Sequence, residues 1–258
     1  MKHLPLLGRL LPVLALVAMT MGLGASAADA KSFARSCNHP RFETSGWDGH
    51  SFGRYYADSD MWNAGGYNVR QHMRVCSAGN WSVTANADNN RHDGAVKTYP
   101  NVHRDYHNWN NGHEPALSSF KTLRSAFASR SPHGGIYDGA YDIWMNGVAD
   151  NGSTEVMIWT DNFRQVPSGS VVKRGLRFSH RTWRLFVTGD HSYIAYVPNK
   201  PLHHGTIALK KRLGYLVSHG YLHRGSTVGQ VDFGYEIVST GGSSARFKID
   251  RFSVTSTR

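Results

Sequence analysis

Along most of the chain, apolar residues recur at every second position in short runs separated by Gly, Asn, Asp and Ser. Period two is the signature of strands with one buried face, and those separators are turn formers. Segments 53–57, 69–77, 81–87, 140–145, 154–160, 183–188, 192–197, 228–238 and 245–254 read as strands. With no internal repeat and no linker between them, they predict an all-β sandwich. One stretch departs from this period. Leu209, Leu213, Leu216 and Val217 recur at helical spacing, with Thr206 as the candidate N-cap and an end near Gly220, so one helix is expected against the sandwich.

The N-terminus carries a different pattern. Lys2 and Arg9 precede an apolar run from Leu10 to Leu23, followed by the small-x-small sites Ala25-Ser26-Ala27 and Ala28-Asp29-Ala30. This is the layout of a secretory signal peptide over 1–30, with a single folded domain over 31–258 and an extracellular destination. The apolar run is shorter than the roughly 20 residues that cross a bilayer, and none like it follows, so no membrane span is expected.

Composition sharpens the reading. Aromatics make up 12% of the 258 residues, charged residues only 18%, and there are 27 glycines, which suits a β protein and excludes a disordered or coiled-coil chain. The only cysteines, Cys37 and Cys76, fall in the exported part, so a disulfide between them is expected, two separate thiols being the alternative. The formal charge of +11 suits anionic surroundings. Its Lys and Arg are scattered, however, with Lys173-Arg174 and Lys210-Lys211-Arg212 as the tight clusters and no nucleic-acid motif. Of the 15 histidines, neither His103, His107 and His113 nor His203, His204 and His223 has zinc-ligand spacing. They read as surface residues, and no metal or cofactor is expected.

The acids carry the chemistry. Glutamate occurs only at 43, 114, 155 and 236, and two of these sit within strand patterns. In Thr154-Glu155-Val156-Met157-Ile158-Trp159, alternation sends Val156 and Ile158 to one face and Glu155, Met157 and Trp159 to the other. In Phe233-Gly234-Tyr235-Glu236-Ile237-Val238, the aromatics take one face and Glu236 the other, beside Gly234. Tyr141-Asp142-Ile143-Trp144 likewise presents Asp142 with Trp144. An acid alone on a strand is usually solvent-facing, but these keep company with Trp144, Met157 and Trp159, which are costly to expose without a ligand. Two carboxyls across such a face are the equipment of glycoside hydrolysis.

These residues resemble glycoside hydrolase family 12. Tyr141-Asp142-Ile143-Trp144-Met145-Asn146, Ser153-Thr154-Glu155-Val156-Met157-Ile158-Trp159 and Phe233-Gly234-Tyr235-Glu236-Ile237 look like its successive signature strands. Lys97-Thr98-Tyr99-Pro100 and Gln165-Val166-Pro167-Ser168-Gly169 are similar to two of its segments, the second a loop over the cleft. The resemblance implies a β-jelly roll of two curved antiparallel sheets and one helix that cleaves internal bonds of β-1,4-glucans or xyloglucan with retention. It implies Glu155 as nucleophile, Glu236 as general acid/base and Asp142 as the hydrogen-bonding partner of Glu155. Trp62, Met157, Trp159 and Pro167 become candidate sugar contacts; for Trp62 a place in the core is the alternative. Asp60 and Asn63 stand where the family has Asn and Gly, Thr160 where an apolar residue is common, and Val238 where Trp is frequent; these changes fall on binding positions and leave the acids intact. The expected partner is a β-glucan, met by a monomer. A sandwich that binds polysaccharide without cutting it is the rival reading, although such a module has no use for the paired glutamates.

Overall fold

The computed structural model describes residues 36–258, so the expected signal peptide lies outside the described residues. Fifteen strands form two sheets. One sheet has six strands: β1 (Phe42–Thr44), β4 (Val69–Ser77), β5 (Asn80–Ala87), β15 (Ala245–Thr257), β7 (Thr122–Arg130) and β13 (His204–Ile207), in that order. The second has nine: β10 (Ser170–Phe178), β11 (Arg181–Val187), β12 (Tyr193–Pro198), β9 (Thr154–Phe163), β8 (Ile136–Met145), β14 (Val228–Ser239), β6 (Asn101–Asp105), β3 (Tyr55–Asp58) and β2 (Gly49–Phe52). Pairing is antiparallel except between β12 and β9.

The inner faces pack into one core containing Trp81, Phe127, Tyr141, Ile143, Val156, Ile158, Phe233, Tyr235 and Phe247. The faces assigned from alternation on β8, β9 and β14 are therefore the observed ones. The helix α1 (Leu209–Ser218) buries Leu209, Leu213 and Leu216 against the same core. Together these are the expected jelly-roll sandwich with its helix.

The structure corrects the helix start and the strand count. Thr206 lies in β13, not at the N-cap; Ala208 holds that position and makes no side-chain capping bond. Six strands escaped the periodicity reading, and β7 illustrates why. Its inward positions are Leu123, Ser125, Phe127 and Ser129, so half of the buried face is serine. Ser125 satisfies its hydroxyl by donating to Ser253 O and accepting from Tyr141. A buried hydroxyl with partners is tolerated in a core but is invisible to an apolar period.

Cys37 and Cys76 are joined, with Cα atoms 5.7 Å apart and 39 positions between them in sequence. The bond fastens the segment before β1 to the outer edge of β4. Closing a loop of that length contributes about 4 kcal/mol in the chain-entropy view. Chemical denaturation under reducing conditions, or of Cys76→Ala, should therefore give a stability lower by about 2–4 kcal/mol than the oxidised chain.

Candidate active site

The face of the nine-stranded sheet turned away from the core carries the chemistry, and the register assembles it. On β8 the outward residues are Asp138, Ala140, Asp142 and Trp144; on β14, Gln230, Asp232, Gly234 and Glu236 lie opposite them. On the other side of β8, Glu155 pairs with Trp144, Met157 with Asp142 and Trp159 with Ala140. On the far side of β14, His103 pairs with Asp232 and Asn101 with Gly234. Glu155 and Glu236 thus fall in different rows, and between those rows the ladder is broken. Ala140 pairs with Trp159 but Gly139 with Asp161, and the bulged Thr160 donates its hydroxyl to Gly139 O. A bulge bends the strand that carries it, and here it sits between the two acids.

The result is a cleft of about 760 Å³ lined by both glutamates and Asp142, together with Asp58, Asp60, Asp105 and Asp232. No Lys or Arg lines it. Trp62 and Trp109 stand at its edge, 56% and 64% exposed, so Trp62 belongs to the cleft and not to the core. Trp144 also contributes to the wall.

The main chain holds Glu236 in place from both sides. Tyr235 N donates to Pro100 O and Ile237 N to Thr98 O, while Lys97 N donates to Ile237 O. The Lys97–Pro100 segment is thereby a brace for the acid. Tyr99 adds a hydroxyl bond to Ala140 O at 3.1 Å. Gly234, expected to leave room beside the acid, leaves none: a Cβ there would come within 2.3 Å of Pro100 O. Close backbone packing is what requires the glycine.

Met157 and Trp159 are each only 1% exposed. They belong to a second apolar cluster with Ala140, Phe186, Ala195 and Val197. The Met157 sulfur accepts from Trp159 Nε1 at 3.3 Å and from the Tyr193 hydroxyl at 3.2 Å. Tyr193 in turn pairs in register with Glu155. The pair forms the packed floor beneath the nucleophile candidate. Pro167 is buried and does not line the cleft.

Electrostatically the cleft is crowded with like charges in a desolvated setting, which raises carboxyl pKa values. Burial, and then the charge of Glu236, pushes Glu155 up to about 8. Glu236 is raised by burial, an effect moderated by Asp138, which stands opposite it in the ladder. Asp138 itself is raised by burial and then by Glu236. Asp142 is raised by burial and next by Glu155, and its buried Oδ1 has no hydrogen-bond partner in the protein; it bears on Glu155 through charge. Asp60 reaches about 7 through burial and the nearby Asp58. The glutamates titrate as a pair, so the proton they hold belongs to both.

Three contributors went unread in the sequence. Asp138 and Asp232 obey the same alternation that singled out Asp142 and Glu236, and extending each strand pattern two or four residues would have found them. His103, expected at the surface, is buried in the cleft wall, with Nδ1 against Asn101 Oδ1 at 3.1 Å and its ring stacked on Tyr56. Among the described residues, no group of three or more His, Cys, Asp or Glu is arranged to hold a metal ion, and no helix is long and apolar enough to cross a membrane.

The raised carboxyls have a consequence for stability. Between pH 6.5 and 8 the folded chain keeps protons on Asp60 and Glu155 that the unfolded chain has already released, so stability falls as pH rises through that window. His103, held below its usual value by burial, works in the opposite sense only at lower pH. Thermal melts should show a midpoint that drops between pH 6.5 and 8.5, and Glu155→Gln should flatten the drop.

The profile of glycosyl hydrolase family 12 matches residues 53–256. Among solved structures, the xyloglucanase domain of NopAA, a type three effector from Sinorhizobium fredii solved with cellobiose, is 28% identical. It superposes with a TM-score of 0.70, covering 85% of this chain and 100% of that one. Endoglucanase cel12A from Rhodothermus marinus is 26% identical with a TM-score of 0.71, covering 84% and 99%. A family 12 xyloglucanase from Bacillus licheniformis, at 21% identity and a TM-score of 0.70 over 84% and 100%, shares the fold. No curated protein matches the chain. The span of the profile match, together with the acids on their three strands, makes this chain a glycoside hydrolase: it belongs to glycosyl hydrolase family 12.

Proposed function

We propose that the chain is a secreted, retaining endo-β-1,4-glucanase acting on cellulose-like glucans or xyloglucan by double displacement. The observation that carries this reading is that Glu155 and Glu236 line one cleft, where the charge of Glu236 raises the pKa of Glu155. Glu155 attacks the anomeric carbon. The glycosidic C–O bond breaks with its electron pair going to the leaving oxygen, which takes the proton of Glu236. Glu236, left as the carboxylate by that transfer, now faces an uncharged ester in place of the Glu155 carboxylate. It removes a proton from water, whose oxygen attacks the anomeric carbon as the ester bond breaks and Glu155 leaves as carboxylate. The productive state is the one with the shared proton on Glu236. Asp142 tunes Glu155, and the floor of Met157, Trp159 and Tyr193 fixes its position.

Trp62 and Trp109 supply apolar planes for sugar rings at the cleft edge. The relatives that carry the words xyloglucanase, endoglucanase and cellobiose support β-1,4-glucans as the substrate class. Secretion rests on the leader pattern of residues 1–30 and on the disulfide, which belongs to an oxidising compartment.

Incubation of the purified protein with cellulose, mixed-linkage glucan and xyloglucan, followed by product sizing, tests the proposal. Internal cutting of any of them supports it, and binding without cutting favours the non-catalytic alternative. Glu155→Ala should lower the release of reducing ends by at least roughly 10⁴-fold while the protein stays folded, with azide restoring turnover as a glycosyl azide. An active variant would remove Glu155 from the mechanism. For Glu236→Ala, the loss should be far larger on polymers than on activated aryl glycosides, whose leaving groups need no proton; equal losses would contradict its role as acid.

A further inference from the structure

The net charge of +11 finds no outlet in the cleft, whose lining holds seven carboxylic acids, one histidine and neither Lys nor Arg. The cations lie elsewhere, and one group of them is organised by the ladder on the opposite side of the sandwich. In the six-stranded sheet, Met73, Val75, Val83, Ala85, Phe247 and Ile249 face the core. Alternation therefore turns Arg70, His72 and Arg74 of β4, Arg246 and Lys248 of β15 and Arg130 of β7 outward. Register puts Arg74, Ser82, Lys248 and Arg130 in one row across four strands, and His72, Thr84 and Arg246 in the next.

Four of these cations line a groove of about 440 Å³. Arg74, Arg130, Arg246 and Lys248 line it, with Ser36, Asn38 and Ser131 at its margins. Two acids face them. Asp250, with its side chain 3% exposed, lies beneath and accepts both Arg130 Nε and Nη2, while Lys248 Nζ pairs with it at 2.9 Å. Glu43 takes Arg74 Nε at 3.1 Å and His72 Nε2 at 3.2 Å. These contacts fix the head groups and offset only part of the charge, two acids standing against four cations, and Arg130 remains 56% exposed. Arg246 is steadied by donating to Ser82 Oγ at 3.2 Å.

We propose that this groove is a docking site for a linear carboxylate-bearing polysaccharide, a polyuronate, held on the face opposite the cleft. The assignment is independent of whether the cleft cleaves. Guanidinium forks match carboxylates bidentately. Cations repeated across the sheet, on β4, β15 and β7 with β5 between the first two, stand about 5–10 Å apart and suit a polymer with repeated charges better than a single ion. Among the described residues, the groove is lined by no aromatic side chain on which a nucleobase could stack, and by no apolar stripe that would enter a lipid surface. Like charge keeps the same polymer out of the acidic cleft, so the protein can be tethered to an acidic polymer while the cleft stays open to a neutral one.

The test is affinity electrophoresis of the full-length protein in gels containing polygalacturonate, with Glu155→Ala as background so that hydrolysis plays no part. Arg74→Gln with Arg246→Gln should weaken binding about tenfold, and kcat/KM on soluble neutral glucan, measured with Glu155 restored, should not change. Lys173→Gln with Arg174→Gln removes the same charge from the exposed strand β10 and should leave binding intact. Fully methyl-esterified polyuronate should not be retained. Equal weakening by both double variants, retention of the neutral ester, or tighter binding to duplex DNA or phosphatidylserine vesicles would overturn the proposal. If the Arg74/Arg246 variant does not fold, Arg246→Gln alone carries the same expectation at reduced size.

Discussion

Each central strand of the larger sheet serves two environments on alternate residues, and everything else in the molecule accommodates that constraint. Tyr141 and Ile143, Val156 and Ile158, and Phe233 and Tyr235 anchor the sandwich core. The residues between them, Asp142, Glu155 and Glu236, stand in the cleft. Because side-chain period in a strand is fixed at two, a slip of one residue would exchange the sets and bury the acids among aromatics. The mass of the core is thus what holds the carboxyls in register; the acids contribute repulsion and desolvation, not cohesion.

That repulsion is also the chemical resource. A carboxyl proton is retained near neutrality only where ionisation is opposed, and here burial opposes it at both glutamates, joined at Glu155 by the charge of Glu236. Asp138 extends the arrangement by standing opposite Glu236 in the ladder, and the acid/base candidate is restrained by the main-chain brace from residues 97–100. The charge left over after this gathering of acids is distributed over the remaining surface, which is why a strongly basic chain can own a cleft without a single cation in its lining.

Much of this was legible in the sequence, because β8, β9 and β14 alternate regularly around the three acids: the faces of Asp142, Glu155 and Glu236 followed from their neighbours alone. What stayed hidden has physical causes. Strand β7 buries Ser125 and Ser129 through hydrogen bonds, and β6 (Asn101–Asp105) buries Asn101 and His103 in a polar cleft wall, so neither shows an apolar period. Burial of Met157 and Trp159 depends on Phe186 and Val197, contributed by β11 and β12, which local sequence around Glu155 cannot report. The space beside Gly234 is taken by Pro100, more than a hundred residues away, a contact set by tertiary pairing alone.

That last contact fixes which parts of the cleft can vary. With the carbonyl of Pro100 occupying the place of a side chain at 234, the base of the channel beside the acid is main chain pressed on main chain, and no replacement can widen or reshape it. Trp62 and Trp109, standing largely in solvent on the rim, have no such neighbours. Divergence toward a different glucan, by evolution or by engineering, therefore has to proceed along the lips of the channel and leave its bed untouched.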